Sequence, residues 1–458
     1  MTILEEIEGV VGKKGLIIGD DVFNRKAGIW IDDGIKADAI IRPKDTKELS
    51  KVLSICNKFD QKVIPHGGLT GLAEGAITQK GQIAISSERM TSIEEVDEIG
   101  RTITVQAGVP LEKVQEEAEK YNLMLPVDLG ARGSCTIGGN ISTNAGGNMV
   151  IKYGMMRDSV LGLEAVLADG QVMTSMNKML KNNSGYDLKQ LFIGTEGTLG
   201  FVTRAVLRLR EKPTSTNTVL LALDSFDEVI ECLKYMDKGL GGNLSAYEVM
   251  WRNFYEVVTS SNSNHTPPLP LNYSYYVIVE TLGADQDKDT ALFEELLEVA
   301  LDRGIIKDAV IPQSETERTK LWSIRDDVEQ HYKDGPVKMF DVSMPISFME
   351  KYVQEVNANF STHWNDYKCV VFGHVGDGNL HIIGGVGSDE EEATELMEAC
   401  IYEPLKSIKG AVSAEHGIGL EKKNYLEISR SETEISLMRN LKKALDPKNI
   451  LNPGKIFD

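Results

Sequence analysis

The chain has 458 residues, 41% of them hydrophobic, enough apolar material for more than one core, so two or more domains are expected. A formal net charge of −20 excludes nucleic acid and anionic membrane surfaces as natural partners, since both would repel it. Cys56, Cys135, Cys232, Cys369 and Cys400 are odd in number and form no Cys-x-x-Cys pair, and Met1 to Gly9 is acidic with no apolar leader segment. With no run of membrane-spanning length, the expectation is a cytoplasmic protein with reduced thiols.

In chain order, helical periodicity covers Glu48 to Phe59, and short apolar strands are predicted at Lys62 to Pro65, Ile83 to Ser86 and Ile103 to Ala107. Pro110 suits the first residue of a helix reaching about Tyr121. Phe201 to Leu209 alternates like a closing strand, and Glu211-Lys212-Pro213 marks a break. Beyond it, strands are predicted at Thr218 to Leu223, Tyr273 to Glu280, Val337 to Met344, Lys368 to His374 and Leu380 to Val386. Helices are predicted at Phe226 to Met236, Thr290 to Arg303, Glu315 to Tyr332, Phe348 to Phe360 and Glu390 to Ser407, while Ser261 to Pro270 has loop composition. The fold class is therefore α+β, divided as 1–212, 213–410 and a helical tail 411–458.

Two glycine clusters stand out in the first part. Pro65-His66-Gly67-Gly68-Leu69-Thr70-Gly71 follows a strand, and Gly133 to Asn140 continues through Thr143 to Gly147. Such backbone can turn tightly, or approach a phosphate and present N–H groups to it; neither cluster is a nucleotide motif alone.

A second signal is His374-Val375-Gly376-Asp377-Gly378-Asn379-Leu380-His381. A two-residue primed turn at Asp377-Gly378 would place the two histidines opposite one another, with Cβ atoms roughly 5 Å apart. Two imidazoles so placed can share a metal ion, and Glu415-His416 offers a carboxylate ligand with a base beside it. Zinc is the default for this donor set, with manganese, iron and cobalt left open.

The glycine clusters, Leu125-Pro126-Val127-Asp128-Leu129-Gly130, and Asn183-Ser184-Gly185-Tyr186-Asp187-Leu188 through Gly194 to Gly200 resemble the vanillyl-alcohol oxidase / p-cresol methylhydroxylase family. The resemblance spans nearly the whole chain and falls in the D-2-hydroxyacid dehydrogenase branch. It implies a two-part FAD domain with a pyrophosphate loop, a cap domain with a mainly antiparallel sheet, and a tail that returns to the FAD domain. It further implies that Pro65 to Gly71 grips the pyrophosphate, that Ser134, Gly138, Gly139, Asn140, Thr143 and Gly146 lie along the cofactor, and that Val202 lies near the adenine. Leu69 departs from the family's small residue, and His66 stands a few positions before the family's flavin-linking histidine, so FAD is expected to bind noncovalently.

By the same resemblance His374, His381 and Glu415 are metal ligands, His416 is the base and Arg325 binds the substrate carboxylate. The implied reaction is oxidation of a small 2-hydroxy acid, with hydride to FAD and electrons passed to an electron-transferring flavoprotein or a quinone; an oxidase using O₂ is the rival. The family's pocket lysine falls at Met339, with Lys338 one residue off and hence on the other strand face unless a bulge intervenes. The pocket threonine falls at Glu329 and a pocket asparagine at Ile383. With Lys338 and Ile383 as candidate substrate contacts beside Arg325, D-lactate is expected first. The alternatives are D-2-hydroxyglutarate and the flavin subunit of a glycolate oxidase or flavoprotein-linked complex. A homo-oligomer and a redox-complex subunit both stay open.

Overall fold

The computed structural model describes residues 2–29, 31–333 and 335–457, and of Asp32 only the backbone. Two compact units emerge: 1–147 with 154–212 and 415–458, and 148–153 with 213–414. The short piece 148–153 thus belongs to the second unit, although the sequence places it inside the first.

Among the described residues the first unit holds two larger sheets, besides two short two-stranded pairs. β1 (Leu16–Ile18), β2 (Ala39–Ile41), β3 (Val63–His66) and β4 (Ile83–Ser86) are ordered β1-β2-β4-β3, with β4 parallel to both β2 and β3. The antiparallel second sheet is β8-β7-β9-β6-β5, made of β5 (Ile93–Asp97), β6 (Thr102–Gln106), β7 (Val160–Val166), β8 (Val172–Ser175) and β9 (Phe201–Arg208). Helix α1 (Thr46–Lys58) is capped by the Asp45 carboxylate and buries Leu49, Val52, Leu53 and Cys56, the stripe its periodicity prescribes. Helix α2 (Leu111–Glu119) starts one residue after Pro110, which serves as its cap position. Short helix α3 (Ile137–Thr143) carries Gly138 and Gly139.

The tail is part of this unit's core. Val63 bridges Leu451 in parallel, and Ile450 and Leu451 join the cluster under α1.

The second unit is one antiparallel sheet, β13-β10-β12-β11-β15-β16-β14. Its strands are β10 (Ser215–Leu223), β11 (Leu244–Trp251), β12 (Tyr275–Gly283), β13 (Asp308–Val310), β14 (Lys338–Ser343), β15 (Lys368–Gly373) and β16 (Asn379–Gly385). Helices α4 (Phe226–Leu240), α5 (Gln286–Asp302), α7 (Met349–His363) and α8 (Glu391–Ile408) cover one face. The Tyr247 hydroxyl reaches the Val229 carbonyl at 2.7 Å on that side. The other face carries helix Arg252–Val258, α6 (Glu315–Asp326) and the turn Val328–Tyr332 over Met250, Ile278, Val370, Phe372 and Ile383. The α6 helix stops at Asp326, short of the expected Tyr332, so Arg325 sits in its last turn.

Candidate active site

In the second unit the two histidines are neighbours, though by a different turn from the one expected. Phe372, not His374, pairs with His381. At Gly373 the backbone takes φ +149, a conformation open to glycine, and leaves the ladder. Val375–Asp377 then forms a single 3₁₀ turn, closed by the Asn379 N–H on the His374 carbonyl at 3.2 Å. The imidazoles nevertheless meet edge to face, with ring centroids 5.3 Å apart and both rings buried.

His374 is oriented by a residue that sequence reading passed over. Glu248, on β11 and 1% exposed, takes Nδ1 of His374 at 2.6 Å through Oε1 and Nε of Arg325 at 2.9 Å through Oε2. Burial pushes its carboxyl up, but the Arg325 charge and the N–H groups of His374 and Arg325 hold it below the usual carboxylate range. With Nδ1–H donated to Glu248, His374 keeps its lone pair on Nε2. Arg325 Nη2 lies 3.3 Å from that nitrogen, and the guanidinium stacks over Phe372 at 5.1 Å.

His381 Nδ1 lies 3.9 Å from Asp341 Oδ1. Asp341 is fully buried and accepts from Asn379 Nδ2 at 2.9 Å, Ser413 Oγ at 3.2 Å and the Ala414 N–H at 3.0 Å. The strand opposite His381 therefore grips the chain one residue before Glu415.

Lys338 needs correction as a substrate contact. The ladder pairs Lys338 with Gly384 and Asp341 with His381 without a bulge, so Lys338 points to the face away from the histidines. There it forms a 2.6 Å ion pair with Glu398 of α8. Met339 and Ile383, paired with each other, share the histidine face as apolar groups, with Ile383 fully buried. Glu329 is exposed.

In the first unit the two glycine clusters lie side by side. A Cβ on Gly68 would stand 2.0 Å from the Ser134 carbonyl oxygen, and one on Gly67 2.7 Å from Thr136 Oγ1. A Cβ on Gly138 would meet that of Ala107 at 2.7 Å. These three glycines serve close packing of the chain on itself, whereas the Cβ direction of Gly71 is open. Leu69 adopts φ +56, a left-handed conformation that a branched side chain takes only at a cost. His66 is buried, its Nε2 2.9 Å from the Ala76 carbonyl, and its pKa is lowered to about 4, chiefly by burial.

Thr136 caps α3, Asn140 is buried against Cys135, and Thr143 bonds back to the Gly139 carbonyl. Ser134 is exposed. Pro65 precedes His66, the last residue of β3, and Val202 is buried in β9 opposite Ala165.

Glu415 Oε1 accepts the Gly147 N–H at 2.6 Å. Half-buried Glu196 accepts the N–H groups of Ile418 at 2.7 Å and Gly419 at 2.8 Å, which fixes the loop just after His416. Burial raises the pKa of Glu196 against those N–H bonds. Glu248, Asp341 and Glu196 are the carboxylates around these side chains that sequence reading did not single out as site residues. The signal for each was a charged residue inside an otherwise apolar or glycine-rich run, which has no period of its own.

Known proteins place this architecture. Residues 212–456 match the family described as FAD linked oxidases, C-terminal domain, and residues 37–175 match an FAD binding domain. The chain belongs to the FAD-linked oxidases. FAD is its cofactor and it is an oxidoreductase. It is 39% identical to D-2-hydroxyglutarate dehydrogenase of Xanthomonas citri pv. viticola over 426 residues, covering 92% of this chain and 89% of the relative. It is 37% identical to the mitochondrial D-2-hydroxyglutarate dehydrogenase of Danio rerio, over 92% of this chain and 78% of the relative. Among solved structures, p-cresol methylhydroxylase with substrate bound superposes with a TM-score of 0.78 at 16% identity, over 100% of this chain and 96% of the other. The 4-ethylphenol oxidase of Gulosibacter chungangensis gives 0.75 at 18%, over 99% and 96%. The fold is thus that of the vanillyl-alcohol oxidase / p-cresol methylhydroxylase type. No described helix is long and apolar enough to cross a membrane.

Proposed function

We propose that the protein is an FAD- and metal-dependent D-2-hydroxyacid dehydrogenase, with D-2-hydroxyglutarate as its first substrate. The observation that carries the site is the Arg325 guanidinium held 3.3 Å from His374 Nε2, a cation for a carboxylate beside a nitrogen suited to a metal. The substrate choice rests on the names of the relatives, which align over most of their length.

His374, His381 and Glu415 would hold the metal. Two neutral imidazoles and a carboxylate suit zinc, and manganese, iron or cobalt would also accept them. When bound, FAD supplies the hydride acceptor and the metal a Lewis acid that makes the substrate hydroxyl more acidic. Arg325 grips the C1 carboxylate and fixes the face presented. The imidazole of His416 takes the hydroxyl proton as the general base.

The cofactor would lie along the paired glycine loops, Pro65 to Gly71 and Ser134 to Gly146, with Val202 toward the adenine. It would be noncovalent, since His66 Nε2 is engaged with the Ala76 carbonyl. Electrons would leave to an electron-transferring flavoprotein or a quinone, and the location would be cytoplasmic.

A second reading, D-lactate first, is favoured by Met339 and Ile383. They bring no donor to the histidine face, where the distal carboxylate of hydroxyglutarate would want one, and Lys338 is turned away. Anaerobic bleaching of the flavin by D- and L-isomers of both acids, with elemental analysis of the purified protein, separates these readings. A flavin that no D-2-hydroxy acid bleaches would refute both.

A further inference from the structure

We infer that Glu248 is the positioning residue that sets both the tautomer of His374 and the angle of Arg325, coupling metal affinity to substrate affinity through one carboxylate. This deepens the reading of the site given above and rests on it. Glu248 stands near the middle of the seven-stranded sheet, with its two oxygens divided between two elements. Oε1 meets the loop after β15 at His374, and Oε2 meets the last turn of α6 at Arg325. Its neighbours on the same strand face, Ala246 and Met250, are apolar, and across the ladder it faces Ile278. The carboxylate accepts from both sides, which leaves the imidazole lone pair on Nε2 and turns Nη2 of the guanidinium toward it.

A carboxamide cannot do the same, because it has one acceptor and one donor. If the NH₂ of Glu248→Gln faces His374, the proton moves to Nε2 and the metal loses its lone pair. If it faces Arg325, two donors oppose each other and the guanidinium swings. Glu248→Asp keeps two acceptors on a shorter arm and restores part of both functions.

The test uses the holoenzyme loaded with zinc. The chelator concentration that strips half the zinc is read for wild type, Glu248→Gln and Glu248→Asp, together with KM for D-2-hydroxyglutarate and the flavin spectrum. We expect Glu248→Gln to lose zinc about 10- to 100-fold more easily, or to raise KM by a similar factor, with the flavin spectrum intact and Glu248→Asp between the two. Stripping and KM both equal to wild type in Glu248→Gln overturn the inference while leaving the proposed function standing. A wild type that takes up no zinc overturns the metal site itself, and this inference with it. A measurement on the wild-type protein covers the case in which the variants do not fold. In zinc-stripped, ¹⁵N-histidine-labelled wild type, His374 should carry its proton on Nδ1, and a proton on Nε2 would overturn the proposal.

Discussion

His66 gives a prediction whose size can be worked from the structure. The imidazole is buried at the end of β3, donates through Nε2 to the Ala76 carbonyl, and has its pKa lowered from 6.5 to about 4. Burial is the main cause; the charges of Arg25 and Lys455 add to it, while the Ala76 bond and Glu88 oppose it. Above pH 6.5 the ring is neutral in folded and unfolded chains alike and contributes no pH dependence. As pH falls below 6.5, the unfolded chain binds a proton that the folded one refuses until about pH 4, so stability drains through that window. At about 1.4 kcal/mol per pKa unit the full loss is about 3 kcal/mol, of which about 2 kcal/mol has gone by about pH 5. Against a typical total of about 5–15 kcal/mol this is readily measured. The comparison is wild type against His66→Gln, which keeps an N–H donor for Ala76 but cannot take a proton. Urea unfolding of both at matched flavin content, at about pH 5 and about pH 7.5, should show wild type losing about 2 kcal/mol more than the variant. Curves that fall in parallel within about 0.5 kcal/mol would refute the assignment.

Replacing the base, His416→Asn, should slow flavin reduction by the hydroxy acid about 10²- to 10⁴-fold in single-turnover stopped flow, with the resting spectrum unchanged. Lys338→Met should leave KM for the hydroxy acid at the wild-type value in steady-state kinetics, because its partner is Glu398 on the opposite sheet face. Asp446→Ala should cost about 3–5 kcal/mol by urea titration. It strands the buried Lys442 ammonium, 2.5 Å away, and frees the N–H groups of Ile450 and Leu451.

Elements with a clear period were legible: α1 and α4 present one apolar stripe each, and their caps, Asp45 and Ser225, precede the helix in sequence. Strand β11 was not legible. Seven of its eight residues are buried, so neither face alternates, and Glu248 interrupts an apolar run without announcing its partners. The hairpin turn was misjudged because Gly373, rather than Asp377-Gly378 alone, bends the chain; the nearness of His374 and His381 survived because both still leave the same sheet face. The face of Lys338 followed from strand parity alone, which the bulge-free ladder preserves. What parity could not give was Glu398, 60 residues away in sequence and found only by packing.

The return of residues 415–458 to the first unit sets an order on biosynthesis. The second unit has all its strands once Ala414 is made. The edge at Val63, by contrast, waits for Leu451, more than 380 positions later, before its last backbone partner arrives. Domains emerging from the ribosome usually fold from the N-terminus onward. Here the middle of the polypeptide is positioned to finish first, and early-made β3 must idle with an open edge, a window in which a chaperone or a nearby nascent chain could bind.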